Sequence, residues 1–267
     1  MKYSFMSFSC PQLSLGDMLA LAKRLGYEGV EPRAASGHAH GVEIEADAGK
    51  RREIRRTAEA SGIVLSCIAT SCRFSDPAGA GEQAELALRY VKLAHDVGAN
   101  RIRVFGGQIP QGVTRKDAVA AAVQALAAVA RPAREAGVTV CVETHDDWCD
   151  PAEILKIVSG VNDPAVRINW DIMHPAVTAG RTVEEAWRAL APWVRHVHFH
   201  DGVRTGGRME LRPIGQGSVD HLGAVRLLKA AGYDGFLSGE WIAWEPYDVH
   251  LPRELAAMRA LEEKARS

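Results

Sequence analysis

The sequence predicts an α/β protein, a single (β/α)8 TIM barrel over residues 1–267, from three observations. Short apolar runs of strand character alternate strictly with helix-like segments. The alternation repeats eight times, and about 250 residues is what one eight-unit barrel needs. No linker-like or low-complexity stretch divides the chain. A doubly wound sheet shares the alternation, but no Gly-x-Gly-x-x-Gly joins a strand to its helix.

The elements follow in order. Lys2 to Ser9 reads as the first strand, and Ser14 is placed to cap a helix carrying Leu15, Met18, Leu19, Ala22 and Leu25, closed by Gly26. Gly29-Val30-Glu31-Pro32 is a short second strand, followed by a loop holding His38 and His40. A charged helix from about Ala48 to Ser61 stops at Gly62, and Ile63 to Ala69 is the apolar third strand. Gly79 to Gly81 opens a helix with Leu86, Tyr90, Leu93 and Val97 on one face, ending at Gly98. Arg101 to Phe105 is the fourth strand, and an Ala/Val-rich helix spans about Thr114 to Ala136, with Pro132 in its last turns. Val138 to Glu143 is the fifth strand; Asp150 and Pro151 are the N-cap and first residue of the next helix. Val166 to Asp171, Val183 to Leu190 and Val194 to His200 are the sixth strand, sixth helix and seventh strand. A glycine-rich loop, a helix from about His221 to Ala231, the eighth strand Gly235 to Trp241 and a final helix from about Arg253 to Ala265 complete the chain.

Composition narrows the function. With 47% apolar and 24% charged residues and a net charge of −1, the chain has no basic footprint for nucleic acid and no polybasic patch for a membrane. Its start, Met1 to Met6, reads as neither a signal peptide nor a membrane span. Five scattered cysteines, none in a Cys-x-x-Cys pair, argue against a disulfide framework or a zinc–cysteine site and fit the reducing cytoplasm as the expected location. Cys67 and Cys141 lie in apolar runs as small core residues.

The run Arg195-His196-Val197-His198-Phe199-His200-Asp201 puts three imidazoles on one face of a strand and the apolar pair on the other. The alternative for the same run is a polar edge strand with solvated histidines. In a barrel the active site lies at the C-terminal strand ends. There, strand five delivers Glu143 and then His145, strand six Asp171 and then His174, strand seven His198, His200 and Asp201, and strand eight Glu240. Each has a plain structural alternative: Glu143 pairing with an arginine, Asp171 capping a helix, Glu240 bonding backbone amides. Three carboxylates buried together would repel and lose hydration without a cation. A divalent metal held by Glu143, Asp171, His198 and Glu240 accounts for all four at once. Three oxygens and one nitrogen with open octahedral positions favour Mn²⁺ or Mg²⁺, with Co²⁺ or Zn²⁺ as alternatives.

Val142-Glu143-Thr144-His145, Asp171-Ile172-Met173-His174, His196 to Asp201, Arg212-Pro213-Ile214-Gly215-Gln216-Gly217 and Ser238-Gly239-Glu240 occur in this order at strand ends five to eight. In these runs the chain resembles, over almost its whole length, the xylose-isomerase-like barrel superfamily. That group includes tagatose/psicose 3-epimerases, inosose isomerases and dehydratases, and 3-dehydroshikimate dehydratases. The resemblance implies that Glu143, Asp171, His198 and Glu240 are metal ligands, and that His174 and Arg212 hydrogen-bond a sugar or polyol substrate. Arg204 competes with Arg212 for that role, and His145 and His200 are further substrate-contact candidates. In the epimerases a carboxylate follows the strand-five glutamate by six residues; here that position is Cys149.

The reaction expected is isomerisation or epimerisation: proton abstraction beside a carbonyl, with Glu143 and Glu240 as the acid/base pair and a metal-stabilised enediolate. Expulsion of a β-hydroxyl from that enediolate would make the same site a dehydratase, with His174 or His200 as acid. A phosphodiesterase of the endonuclease-four type is disfavoured, because strands three and four end without histidine and Glu210-Leu211-Arg212 stands where Asp-x-His would be. A non-catalytic metal- or sugar-binding barrel is the remaining alternative. Gly215-Gln216-Gly217 follows a loop rather than a strand, unlike a phosphate cradle. His38 and His40 read as solvated loop residues, Glu31 as a substrate contact or an ion-pair partner of Arg33, and Trp148, Trp241 and Trp244 as pocket or core residues. Aromatic surface near the mouth would suit a homodimer.

Overall fold

Parallel neighbours need a crossover between them, and helix-forming segments stand between the strand-forming ones. The computed structural model describes residues 1–266. Its first half contains β1 (Lys2–Met6), α1 (Leu15–Leu25), β2 (Gly29–Glu31), α2 (Ala48–Ser61), β3 (Val64–Leu65), β4 (Ile68–Arg73), α3 (Ala80–Val97), β5 (Arg101–Phe105) and α4 (Arg115–Glu135). Then follow β6 (Thr139–Glu143), α5 (Pro151–Val161), β7 (Val166–Asp171), α6 (Met173–Val177), α7 (Val183–Leu190) and β8 (Val194–Phe199). The last elements are β9 (Asp201–Thr205), β10 (Arg208–Arg212), α8 (His221–Ala230), β11 (Phe236–Gly239) and α9 (Tyr247–Lys264).

Local chemistry starts the helices as the sequence suggests. Ser14, Asp47, Thr114, Asp150, Thr182 and Asp220 each accept a first-turn backbone N–H, and Thr182 with Glu185 forms a reciprocal capping box. The sheet runs β3-β2-β1-β11-β8-β7-β6-β5-β4 with every neighbour parallel. Its two terminal members, β3 and β4, are successive pieces of one run broken at Ser66-Cys67, so the sheet closes on itself almost completely. Across the break Ser66 N donates to Val30 O at 2.9 Å and Ala69 N to Pro32 O at 3.0 Å. This is the α/β barrel the alternation predicts.

Three expectations need correction. The third strand is interrupted and runs on to Arg73 rather than stopping at Ala69. The segment after β8 is an antiparallel hairpin, β9–β10, rather than a glycine-rich loop. Its turn, Gly206-Gly207, has φ of 56° and 83°, the left-handed pair that a tight two-residue hairpin demands. Helix α9 starts at Tyr247 rather than near Arg253, and Pro252 lies inside it.

Candidate metal centre

Strand register sets the level of the site. Asp171 stands opposite His198 across β7–β8, Ser238 opposite His198 across β8–β11, and Phe105 opposite Glu143 across β5–β6. Side chains alternate in a strand, so His196 and His198 point to the barrel axis while Val197 and Phe199 pack outward. Phe199 meets Tyr3 and Trp241 edge to face at 6.3 and 5.6 Å. Glu240 follows β11 directly, and Gly239 is required before it: a Cβ there would lie 2.1 Å from the Trp241 ring.

The four sequence-predicted ligand residues come together. One ligand atom from each of Glu143, Asp171, His198 and Glu240 lies within 4.8 Å of the others. Glu143, Asp171 and His198 are fully buried, and Glu240 is 7% exposed. His198 Nδ1 is 2.7 Å from Glu143 Oε1 and 3.0 Å from Glu240 Oε2. Burial alone would keep an imidazole neutral, yet the surrounding carboxylates of Glu31, Glu143 and Glu240 raise the His198 pKa well above its ordinary value. Glu143 Oε2 and Glu240 Oε2 are buried and, among the described residues, have only charge contacts, with Arg103 and His198, and no well-aligned hydrogen bond. Carboxylate oxygens crowded around one ring nitrogen, two of them unsatisfied, are the donor set a hard divalent cation takes. The residues fit the group.

Two of the plain structural alternatives hold alongside this, those for Glu143 and Asp171, whereas the Glu240 carboxylate faces His198 rather than backbone amides. Glu143 Oε2 faces the fully buried Arg103 at 3.3 Å. Asp171 Oδ1 caps α6, accepting from Met173 N at 2.8 Å and His174 N at 3.0 Å, while Oδ2 accepts from His200 Nε2 at 2.7 Å. Burial disfavours charge on Asp171, but His200 and His174 hold its carboxyl far below the usual range.

The mouth is rimmed by imidazoles. His145 and His174 stack edge to face at 4.5 Å, and His174 and His200 at 5.7 Å. Burial lowers the His174 pKa. Burial likewise opposes charge on His145, but the hydrogen bond to Asp146 and the charge of Glu143 outweigh it and push the ring up to about 9. Arg212 pairs in register with Asp201 at the hairpin base and donates to Glu210 Oε2 at 2.6 Å, whereas Arg204 is exposed nearer the tip.

Other residues find partners that the sequence alone left open. Glu31 pairs with two histidines rather than with Arg33: it accepts from His196 Nε2 at 2.8 Å and lies 3.2 Å from His198 Nε2. Burial opposes its ionisation, but His198 and His196 hold the carboxyl well below the usual range. His40 is buried rather than solvated, bonded to Val42 N at 2.9 Å, and His38 Nδ1 meets Ser7 Oγ at 2.8 Å. Trp148 and Trp241 are core rather than pocket residues, and Trp148 Nε1 donates to Ser75 Oγ and Gly107 O, both at 2.8 Å. All five cysteines are buried and free.

The N–H groups of Gly215 and Gly217 serve an internal anion, which excludes them as a phosphate cradle. Buried Asp201 accepts from Gly202, Gly215, Gly217 and Val219 N at 2.9, 2.9, 3.0 and 3.3 Å. Asp201→Ala therefore lowers stability by about 3 kcal/mol, measured by urea denaturation, because these donors lose a charged acceptor. A loss below about 1 kcal/mol would mean that water replaces the carboxylate without penalty.

The chain matches the family described as the xylose isomerase-like TIM barrel over residues 19–262. Over 100 residues it is 34% identical to the alpha subunit of a 3'-dehydrocarminate deglycosidase from Microbacterium sp., covering 37% of this chain and 26% of that one. The two matches to curated relatives span only 30% and 26% of those relatives' lengths. Among solved structures, the probable 3-DHS dehydratase AsbF from Bacillus anthracis superposes with a TM-score of 0.80 at 22% identity, covering 97% of this chain and 99% of that one. An L-ribulose 3-epimerase gives 0.81 at 20% identity, covering 100% and 96%. At these identities the likeness is one of fold. Among the described residues, no helix is long and apolar enough to cross a membrane.

Proposed function

The chain belongs to the xylose isomerase-like TIM-barrel family, and from that premise we propose that it is a divalent-metal-dependent enzyme removing a proton beside the carbonyl of a small sugar or polyol-derived ketone. The observation that carries this reading is His198 Nδ1 facing Glu143 at 2.7 Å and Glu240 at 3.0 Å, in a cluster with Asp171 at the barrel mouth. Glu143, Asp171, His198 and Glu240 would hold the cation, Mn²⁺ or Mg²⁺ by the predominance of oxygen donors. Bound there, a divalent cation supplies Lewis-acid polarisation of the substrate carbonyl and offsets the charge that develops on its oxygen.

The two glutamates are not equivalent. Glu143 is fully buried with Oε2 against Arg103, while the Glu240 side chain is 9% exposed. Glu240 is therefore the base that takes the proton, and Glu143 is held by Arg103 and His198. His174 and His145, stacked at the mouth, are placed to hydrogen-bond substrate oxygens, with Arg212 at the hairpin base as a further contact. Delivery of a proton to the opposite face of the same carbon, with Glu143 as the second carboxyl, gives epimerisation, and return of the proton to the adjacent carbon gives isomerisation.

A second reading, elimination of a β-hydroxyl or β-linked group, is favoured by the imidazoles of His145, His174 and His200 in edge contact. They offer protons to a leaving oxygen, and both the deglycosidase and the dehydratase above are named for bond-breaking reactions.

Proton NMR in D₂O with Mg²⁺ separates the readings on ketoses, inososes, 3-dehydroshikimate and 3'-dehydro glycosides. Deuterium uptake beside a carbonyl with an isomeric product supports the first reading, and an unsaturated product supports the second. A protein that takes up metal but exchanges no proton on any of these compounds would favour a binding role.

A further inference from the structure

Below the four-residue cluster, and sharing His198 with it, lies a second layer whose other members, Glu31 and His196, the proposed reaction does not use. Glu31, at the end of β2, is fully buried, as are His196 and His198 on β8, more than 160 positions away in sequence. His196 Nε2 is 2.8 Å from Glu31 Oε2, and His198 Nε2 is 3.2 and 3.3 Å from the two Glu31 oxygens. An ionised carboxylate only accepts, so the nitrogen facing it must carry hydrogen. His198 Nδ1 faces Glu143 and Glu240 in the same way, so without a cation both ring nitrogens have carboxylate acceptors; a cation among Glu143, Asp171 and Glu240 would take the place of the Nδ1 hydrogen, while Glu31 keeps the one on Nε2.

We propose that Glu31 is a positioning residue for the metal centre: it fixes His198 as the Nε2–H tautomer, leaving Nδ1 as the nitrogen that binds the cation, and His196 anchors Glu31 for that task. The proposal rests on the metal reading above. Among the described residues the His196 side chain makes its hydrogen bond to Glu31, and its buried Nδ1 has no partner. Fixing the ring orientation and raising the basicity of the ligating nitrogen is what a carboxylate behind a metal-bound histidine does.

The test uses the metal alone. Mn²⁺ titration followed by the EPR signal of free Mn²⁺ compares the wild-type chain with Glu31→Gln, whose folding is checked by far-UV circular dichroism. The amide has one acceptor oxygen and cannot serve both imidazoles in the same way. Affinity should fall by about 10- to 100-fold; a variant within twofold of wild type overturns the proposal. A measurement on the unaltered protein decides the matter even if the variant does not fold. In ¹⁵N-histidine-labelled protein loaded with Zn²⁺, one histidine should shift at Nδ1 while its Nε2 stays protonated. A metal-bound Nε2 overturns the role of Glu31 but leaves the metal reading standing. No uptake of either metal by the wild-type chain overturns both.

Discussion

Glu240→Gln lowers deuterium exchange beside the substrate carbonyl by about 10²- to 10⁴-fold at saturating Mg²⁺, the range a positioned general base contributes. Glutamine keeps the shape of glutamate and one oxygen for the cation, but it cannot take a proton at neutral pH. Two roles of Glu240 are thus separable. Loss of a ligand raises the Mg²⁺ concentration needed, and that part recovers as metal is added. Loss of the base lowers the ceiling, and that part does not. NMR exchange rates measured against Mg²⁺ concentration distinguish them. Recovery of wild-type exchange at high Mg²⁺ would reduce Glu240 to a ligand and move the base elsewhere. The partial exposure of the Glu240 side chain, against the enclosed Glu143–Arg103 contact, is the structural reason for expecting otherwise.

Asp171→Ala weakens divalent-metal binding by more than about 100-fold, beyond what loss of a supporting partner alone costs. Asp171 joins the cluster from the end of β7, and its carboxylate also accepts from Met173 N, His174 N and His200 Nε2. Alanine therefore removes an oxygen donor and also loosens the turn carrying His174. The readout is thermal stability with and without Mn²⁺. A cation binding only the folded state adds about 2.7 kcal/mol at a concentration one hundred times its dissociation constant. The wild-type chain should gain that increment, and Asp171→Ala should lose nearly all of it at the same Mn²⁺ concentration. A variant that keeps the increment would show Asp171 to be only a helix cap.

The parts of the site legible in the sequence are those governed by short-range rules. Period-two spacing sends His196 and His198 to one face, and glycines and prolines mark where the strands stop, so Glu143, Asp171, His198 and Glu240 emerge at one level. What escaped depends on contacts across the barrel. The partners of Glu31 lie on the seventh predicted strand, while the sequence offers Arg33 two residues away as the nearer candidate. Arg103 carries a signal in the sequence: a charged residue in the middle of a strand buried on both faces needs a counter-charge, and Glu143 supplies it. Gly206-Gly207 between short runs is likewise a hairpin signal, hidden by reading glycine richness as loop. Trp148 and Trp241 sit beside site residues in sequence, but proximity along the chain does not say which side of the barrel wall a ring packs against. Close passage over Gly106 and Gly239 decides it, since a Cβ at either would come within 2.2 Å or 2.1 Å of the indole.

The measurement bearing most directly on the metal centre is the metal content of the purified chain after dialysis against Mn²⁺, with Glu143→Gln and Asp171→Ala treated in parallel. One equivalent per chain in the wild type, lost or strongly reduced in both variants, is the predicted result. Wild-type protein that retains no divalent metal, or variants that retain a full equivalent, would contradict a centre built from Glu143, Asp171, His198 and Glu240.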